Sequence, residues 1–220
     1  MRWFTNLKTR SKLMAGFGIV ILLLLVIVVT ARTSMLAVRD AEIGVADVMA
    51  LRNNFNGQRS ALLGAVLSPP GAEVESHLQE ASVYSSDNDE VFKRIETQYG
   101  RDADLRSLIE QIMTIRGEYL RVRDTEVIPL ISQQKKDEAT ALILGAQSER
   151  FEKFRTHARD LTQRLTERSE AHMAQAQLVF GVLGVFALLT AVGMIVGLGR
   201  LIANPLEKIT VAADKIADGD

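Results

Sequence analysis

The sequence predicts an all-α protein: two transmembrane helices flanking an antiparallel, up-down-up-down four-helix bundle, with the start of one more helix behind the second span. Three observations carry this. Two long apolar runs free of charge stand near the two ends of the chain. The 146 residues between them, 32–177, show helical periodicity and few breakers. The composition is 47% hydrophobic but only 5% aromatic, an Ala, Leu, Val and Ile balance that suits helices better than strands.

Taken in order, residues 1–12 carry Arg2, Lys8, Arg10 and Lys12 and no acidic residue. The positive-inside rule keeps this end in the cytoplasm, with Trp3 and Phe4 placed to lie at the interface. The first apolar run, residues 13–31, lies between Lys12 and Arg32. At about 1.5 Å per residue, about 20 residues cross a hydrocarbon core of roughly 30 Å. A cleaved signal peptide is the alternative, since Val29-Thr30-Ala31 resembles a small-residue cleavage site. The run is longer than the roughly 7–15 apolar residues of a signal peptide, however, and continues into a helical pattern. The second run, residues 178–199, ends at Arg200. Two spans return the tail to the cytoplasm and leave residues 32–177 outside, with 19 Lys and Arg against 23 Asp and Glu.

Breakers divide this outer segment into four helices, at about 32–68, 71–99, 102–133 and 147–177. Pro69-Pro70-Gly71 is the first turn, because proline cannot continue a helix and disfavours it in the preceding residue. Gly100 is the second, with Asp102 suited to cap the next helix. Pro129 and Gly145 weaken the pattern around residues 132–147. The first helix reads as a 3,4 seam of Val38, Ala41, Val45, Val48, Arg52, Phe55, Arg59, Leu62 and Val66. The third repeats this with Leu105, Leu108, Ile112, Ile115, Tyr119 and Val122, and the fourth with Phe151, Phe154, Ala158, Leu161 and Leu165. Such stripes suit a near-parallel bundle.

Several functions are disfavoured. The net charge of −1 gives no basic field for nucleic acid. The absence of cysteine excludes disulfides and thiolate metal sites. His77, His157 and His172 are scattered, and no Glu-x-x-His pair, phosphate loop or nucleophile motif is present. The sequence therefore predicts no enzyme, no metal and no cofactor.

Behind the second span, Pro205 sits at a first helical turn, Ile202, Leu206, Ile209, Ala213 and Ile216 form another seam, and Gly219 is a helix stop. Such a helix suits a lipid surface or a parallel coiled bundle. Pro205-Leu206-Glu207, the heptad helix and Gly219-Asp220 resemble the first helix of a HAMP domain. With the basic N-terminus, the two spans and the outer helical domain, the whole chain resembles the N-terminal part of methyl-accepting chemotaxis proteins with a four-helix-bundle ligand-binding domain. The resemblance implies residues 200–220 as the start of HAMP, a longer natural receptor, and a homodimer in the bacterial inner membrane. Its sensor would be periplasmic and both termini cytoplasmic. It would sense a small molecule and regulate a cytoplasmic histidine kinase, with Pro205, Leu206, Glu207 and Gly219 in the relay.

Arg52 and Arg59 are the informative binding candidates. Both fall on the apolar seam, two helical turns and about 10 Å apart. A charge there must be paired, reach water along its stem, or face a ligand. An arginine fork matches a carboxylate in two-point geometry. In the aspartate and serine receptors, three arginines on the first helix contact the ligand across the dimer interface, and Arg59-Ser60-Ala61 resembles the segment around the middle one. The other two positions fall on Asn54 and Leu63, so this chain departs from that pattern. Ala146-Gln147-Ser148-Glu149 resembles the stretch that supplies a hydroxyl there, which points to Ser148, although Ser148 also suits a helix cap. By level in the bundle, Tyr84, Asn88, Tyr119 and Thr156 join Arg59, which lies about 13 Å below the first turn. Lys135 to Glu138 and Arg121, Arg123 and Asp124 read as solvated faces.

These residues together suit an organic or amino acid as ligand. The expected function is a chemotaxis receptor in which binding shifts the fourth helix and repacks HAMP. The sensor half of a membrane histidine kinase or cyclic-dinucleotide enzyme, and a non-signalling dimeric membrane protein, are the alternatives.

Overall fold

The computed structural model describes residues 9–198. Among them the ordered elements are all helical: α1 (Thr9–Leu67), α2 (Ala72–Tyr99), α3 (Ala103–Val122), a π-helical turn (Arg123–Val127), α4 (Ile128–Ser132), α5 (Lys136–Leu144) and α6 (Ala146–Leu198). Two compact units result, one of Val38–Glu170 and one of the described parts of Met1–Ala37 and Ala171–Asp220. Helices α1 and α6 supply residues to both. The relay positions Pro205, Leu206, Glu207 and Gly219 lie outside the described residues.

The Val38–Glu170 unit is a four-helix bundle whose neighbours run antiparallel. Between α1 and α2 the register is nearly constant: Asp47 meets Arg94 at 2.7 Å, and Gln58 Nε2 donates to the Ala81 carbonyl at 3.2 Å. Rings of α2 pack closely against glycines of α1. A methyl group on Gly57 would come within 2.6 Å of the Tyr84 ring, and one on Gly64 within 2.8 Å of the His77 ring. Gly44 faces Tyr99 in the same way. Helix interiors usually avoid glycine; here each one admits a ring between closely packed backbones.

Helices α3 and α6 are tied at one end by Arg168, which pairs with Asp102 and Asp104. Asp102 also caps α3 by accepting from the Asp104 and Leu105 amides at 3.1 and 3.3 Å, as its sequence position predicts. The core is one cluster, with Leu51, Phe55, Leu105, Ile112, Tyr119, Phe154 and Leu161 almost fully buried.

Three expectations about the bundle change. On α1 the buried positions after Val48 are Leu51, Phe55, Gln58, Ala61, Leu62, Ala65 and Val66, so Arg52 and Arg59 sit half-buried beside the seam rather than on it. The helix packs against more than one neighbour, and its buried stripe is wider than a two-helix seam. The third helix is also not one straight piece. Its buried residues step from Val122 to Val127, five residues, because the π-helical turn inserts one extra residue, with the Ile128 amide bonded to the Arg123 carbonyl. Pro129 follows in the first turn of α4, where its missing N–H is tolerated. Finally, the break before residue 147 contains a helix of its own, α5, which buries Ala139 and Ile143 and stops at Gly145.

The second unit pairs the remaining parts of α1 and α6. Its α1 residues alternate by fours and threes, with Gly16 and Leu23 buried and Val20 and Ile27 half-buried between and beyond them. Gly16 faces Met194 closely. Small residues let helices approach where no hydrophobic force drives them together. Outside this seam, Leu22, Leu25, Val185 and Leu189 are each at least 61% exposed. Both helices contain stretches long and apolar enough to cross a membrane, and a surface of this kind is expected where the surroundings are apolar.

Candidate functional site

The site is built on an aromatic layer. Phe55 of α1 packs on Tyr119 of α3 at 4.4 Å between ring centroids, and on Phe154 and Phe151 of α6 at 4.4 and 5.5 Å. Four rings from three helices meet because positions 55, 119, 151 and 154 all fall on inward stripes of their helices.

A polar layer lies one helical turn further along α1 and α3. Arg59 follows Phe55 by four residues, and Arg123 follows Tyr119 by four. The Arg59 guanidinium lies 5.6 Å from the Phe151 ring centre, and its Nη2 donates to Ser148 Oγ at 3.3 Å. The structure thus brings Arg59, Ser148 and Tyr119 to one place. Ser148 is not a helix cap: α6 begins at Ala146, and the Ser148 hydroxyl is engaged by Arg59. Gln147, almost fully buried, donates from Nε2 to the Tyr119 carbonyl at 2.9 Å and accepts from Arg150 at 3.3 Å.

Three polar atoms of this layer are buried without a hydrogen-bond partner among the described residues: Arg59 Nε, Tyr119 Oη and Arg123 Nη1. Burial pushes the Tyr119 phenol up to about 12, while the Arg123 and Arg59 charges act in the opposite direction. Arg123 pairs through Nε with Asp124 at 2.6 Å and Arg150 with Glu118 at 3.9 Å. Among the described residues, Arg59 has no carboxylate partner. A guanidinium in this setting can take a carboxylate by charge-assisted hydrogen bonds.

The other expected site residues fall elsewhere or differ in kind. Tyr84 packs against Gly57, and its hydroxyl donates to Glu80 at 3.4 Å. Asn88 is buried on α2 with its Oδ1 unpartnered. Arg52 is half-buried, two turns from Arg59 along α1. Thr156 is corrected: it is exposed, and its hydroxyl donates to the Glu152 carbonyl of its own helix at 3.0 Å. Arg59 meets α6 at Ser148, eight residues and about 12 Å before Thr156, so Thr156 lies off the level of the site, and its helical phase also turns it away from the core.

Arg123 is the residue that sequence reading missed. It reads as part of a solvated face, yet its side chain is only 13% exposed. The π-helical turn that begins at Arg123 carries this stretch out of the regular heptad. The four-residue spacing from Tyr119 was the available signal. A separate cleft of about 210 Å³, where α1 gives way to α2 and α4 to α5, is lined by none of the expected site residues.

A sequence model of the four helix bundle sensory modules for signal transduction matches residues 6–180. The chain belongs to this family, the sensory module of methyl-accepting chemotaxis proteins. No curated protein and no solved structure matches it.

Proposed function

We propose that this chain is the sensory front end of a two-pass chemotaxis receptor in a bacterial inner membrane, with a periplasmic bundle and cytoplasmic termini. It is a sensor rather than an enzyme. Its ligand is a small organic or amino acid held by its carboxylate at Arg59. The single observation that carries the ligand class is the half-buried Arg59, which rests on Phe151 and Ser148 with no carboxylate partner among the described residues. Binding would favour one position of α6, and that shift would pass through HAMP to a cytoplasmic kinase and its adaptor.

A homodimer fits this reading. Met49, Asn53, Asn56, Ser60, Leu63 and Leu67 follow a 4,3 spacing on α1, and all but the half-buried Leu63 are exposed. Mixed apolar and Asn positions are what a register-specific helix pair uses.

The test is a thermal-shift screen of the full chain in lipid nanodiscs against organic and amino acids, repeated on Arg59→Ala. The expected result is a carboxylate that raises the melting temperature of the parent and leaves the variant unmoved. A hit that survives the substitution would remove Arg59 from the site. A folded chain that responds to no compound in the panel would point to sensing through a partner protein.

A further inference from the structure

The polar layer above the aromatic rings is incomplete in two ways. Arg59 Nε, Arg123 Nη1 and Tyr119 Oη are buried without partners among the described residues. Buried donors of this kind are costly unless something satisfies them. The layer also lacks one negative charge. Asp124 answers Arg123 and Glu118 answers Arg150, which leaves Arg59 without a carboxylate at ion-pair distance among the described residues. A water molecule would satisfy the donors but would not supply the charge. A single carboxylate would do both.

We infer that the ligand's carboxylate lodges inside one subunit's own bundle, between Arg59 of α1 and Arg123 of the π-helical turn, with the Tyr119 hydroxyl as its third donor. This rests on the reading of Arg59 as the carboxylate anchor and adds where that carboxylate sits and how many charges it carries. The occupant is a monocarboxylate, because one charge is missing. Its body leaves past Arg59 and Ser148, both of which are only half-buried. The Phe55 to Phe151 stack closes the opposite side. The π-helical turn has a role in this arrangement: Arg123 opens it and lies largely buried there, one helical turn beyond Tyr119.

Acetate and benzoate are the probes, titrated by calorimetry into the full chain in nanodiscs, with chloride at equal ionic strength as control. At least one of them should bind. Arg59→Gln and Arg123→Gln should each weaken it by about tenfold or more, and Arg123→Lys should recover part of the loss. Tyr119→Phe should weaken binding several-fold yet raise the melting temperature of the ligand-free chain, since it removes a buried hydroxyl without a partner. A merely structural tyrosine would not separate these two readouts. Helical circular dichroism of each variant establishes that it is folded.

Binding that needs Arg59 but is indifferent to Arg123→Gln and Tyr119→Phe would overturn the inner site and leave Arg59 as anchor. The same holds if neither probe binds while a dicarboxylate binds through Arg59. If no carboxylate binds at all, the anchor itself falls, and this site with it.

Discussion

Phe55 shows how a residue and its surroundings are matched. It is fully buried, stacks on Phe151 and Phe154 and meets the tilted ring of Tyr119. Phe55→Ala should cost about 3–5 kcal/mol, because the remaining rings cannot collapse into the space; denaturant unfolding would measure it. The glycines give a sharper contrast. Gly117 is exposed with open space around it, so Gly117→Ala should stabilise by about 1 kcal/mol through helix propensity alone. Gly57→Ala gains the same propensity but must displace the Tyr84 ring. It should fall below Gly117→Ala by roughly 1–3 kcal/mol in the same measurement. Residue type was legible here and role was not: nothing at position 57 or 117 distinguishes the two glycines in sequence.

At the scale of elements, the start of α3 depends on one carboxylate. The hydrogen bond from Arg168 holds the Asp102 carboxyl below its usual value, helped by the Asp104 and Leu105 amides, while burial opposes it. The native state therefore binds this proton less readily than the unfolded chain. The resulting stability is present above the unfolded value of about 4 and is lost as pH falls through the lower folded value. Asp102→Asn keeps a capping side chain but removes the charge. It should cost roughly 1 kcal/mol at neutral pH and flatten the loss of melting temperature below about pH 4. This cap was readable in the sequence, since Asp102 stands just after a glycine break and just before a periodic helix. The π-helical turn was not. It arises from the need to keep Tyr119 and Val122 buried on one side of it and Val127 and Ile131 on the other, a demand set by the neighbouring helices.

For the whole molecule, orientation across a membrane is the proposal with the widest consequences. The chain has no cysteine, so single cysteines report without background. Ser132→Cys, at the exposed end of α4, should react with an impermeant maleimide in intact spheroplasts. Ser11→Cys, exposed near the start of α1, should react only after permeabilisation. The reverse pattern would invert the topology inferred from Arg2, Lys8, Arg10 and Lys12.

The sequence by itself determined the class. Apolar run length, helical periodicity and the breakers at residues 69–71 and 100 are local properties, and they sufficed for an all-helical bundle with two long apolar helices. Arg59 and Ser148 were also legible as residue types, each conspicuous on its own helix. Only the tertiary structure decided their surroundings. The phase of Thr156, the inward turn of Arg123 and the fact that Gln58 rather than Arg59 fills the buried position depend on which neighbours a helix packs against. A helix with several neighbours buries a wider stripe than one heptad seam describes, and a single extra residue in a π-helical turn re-aims every side chain beside it.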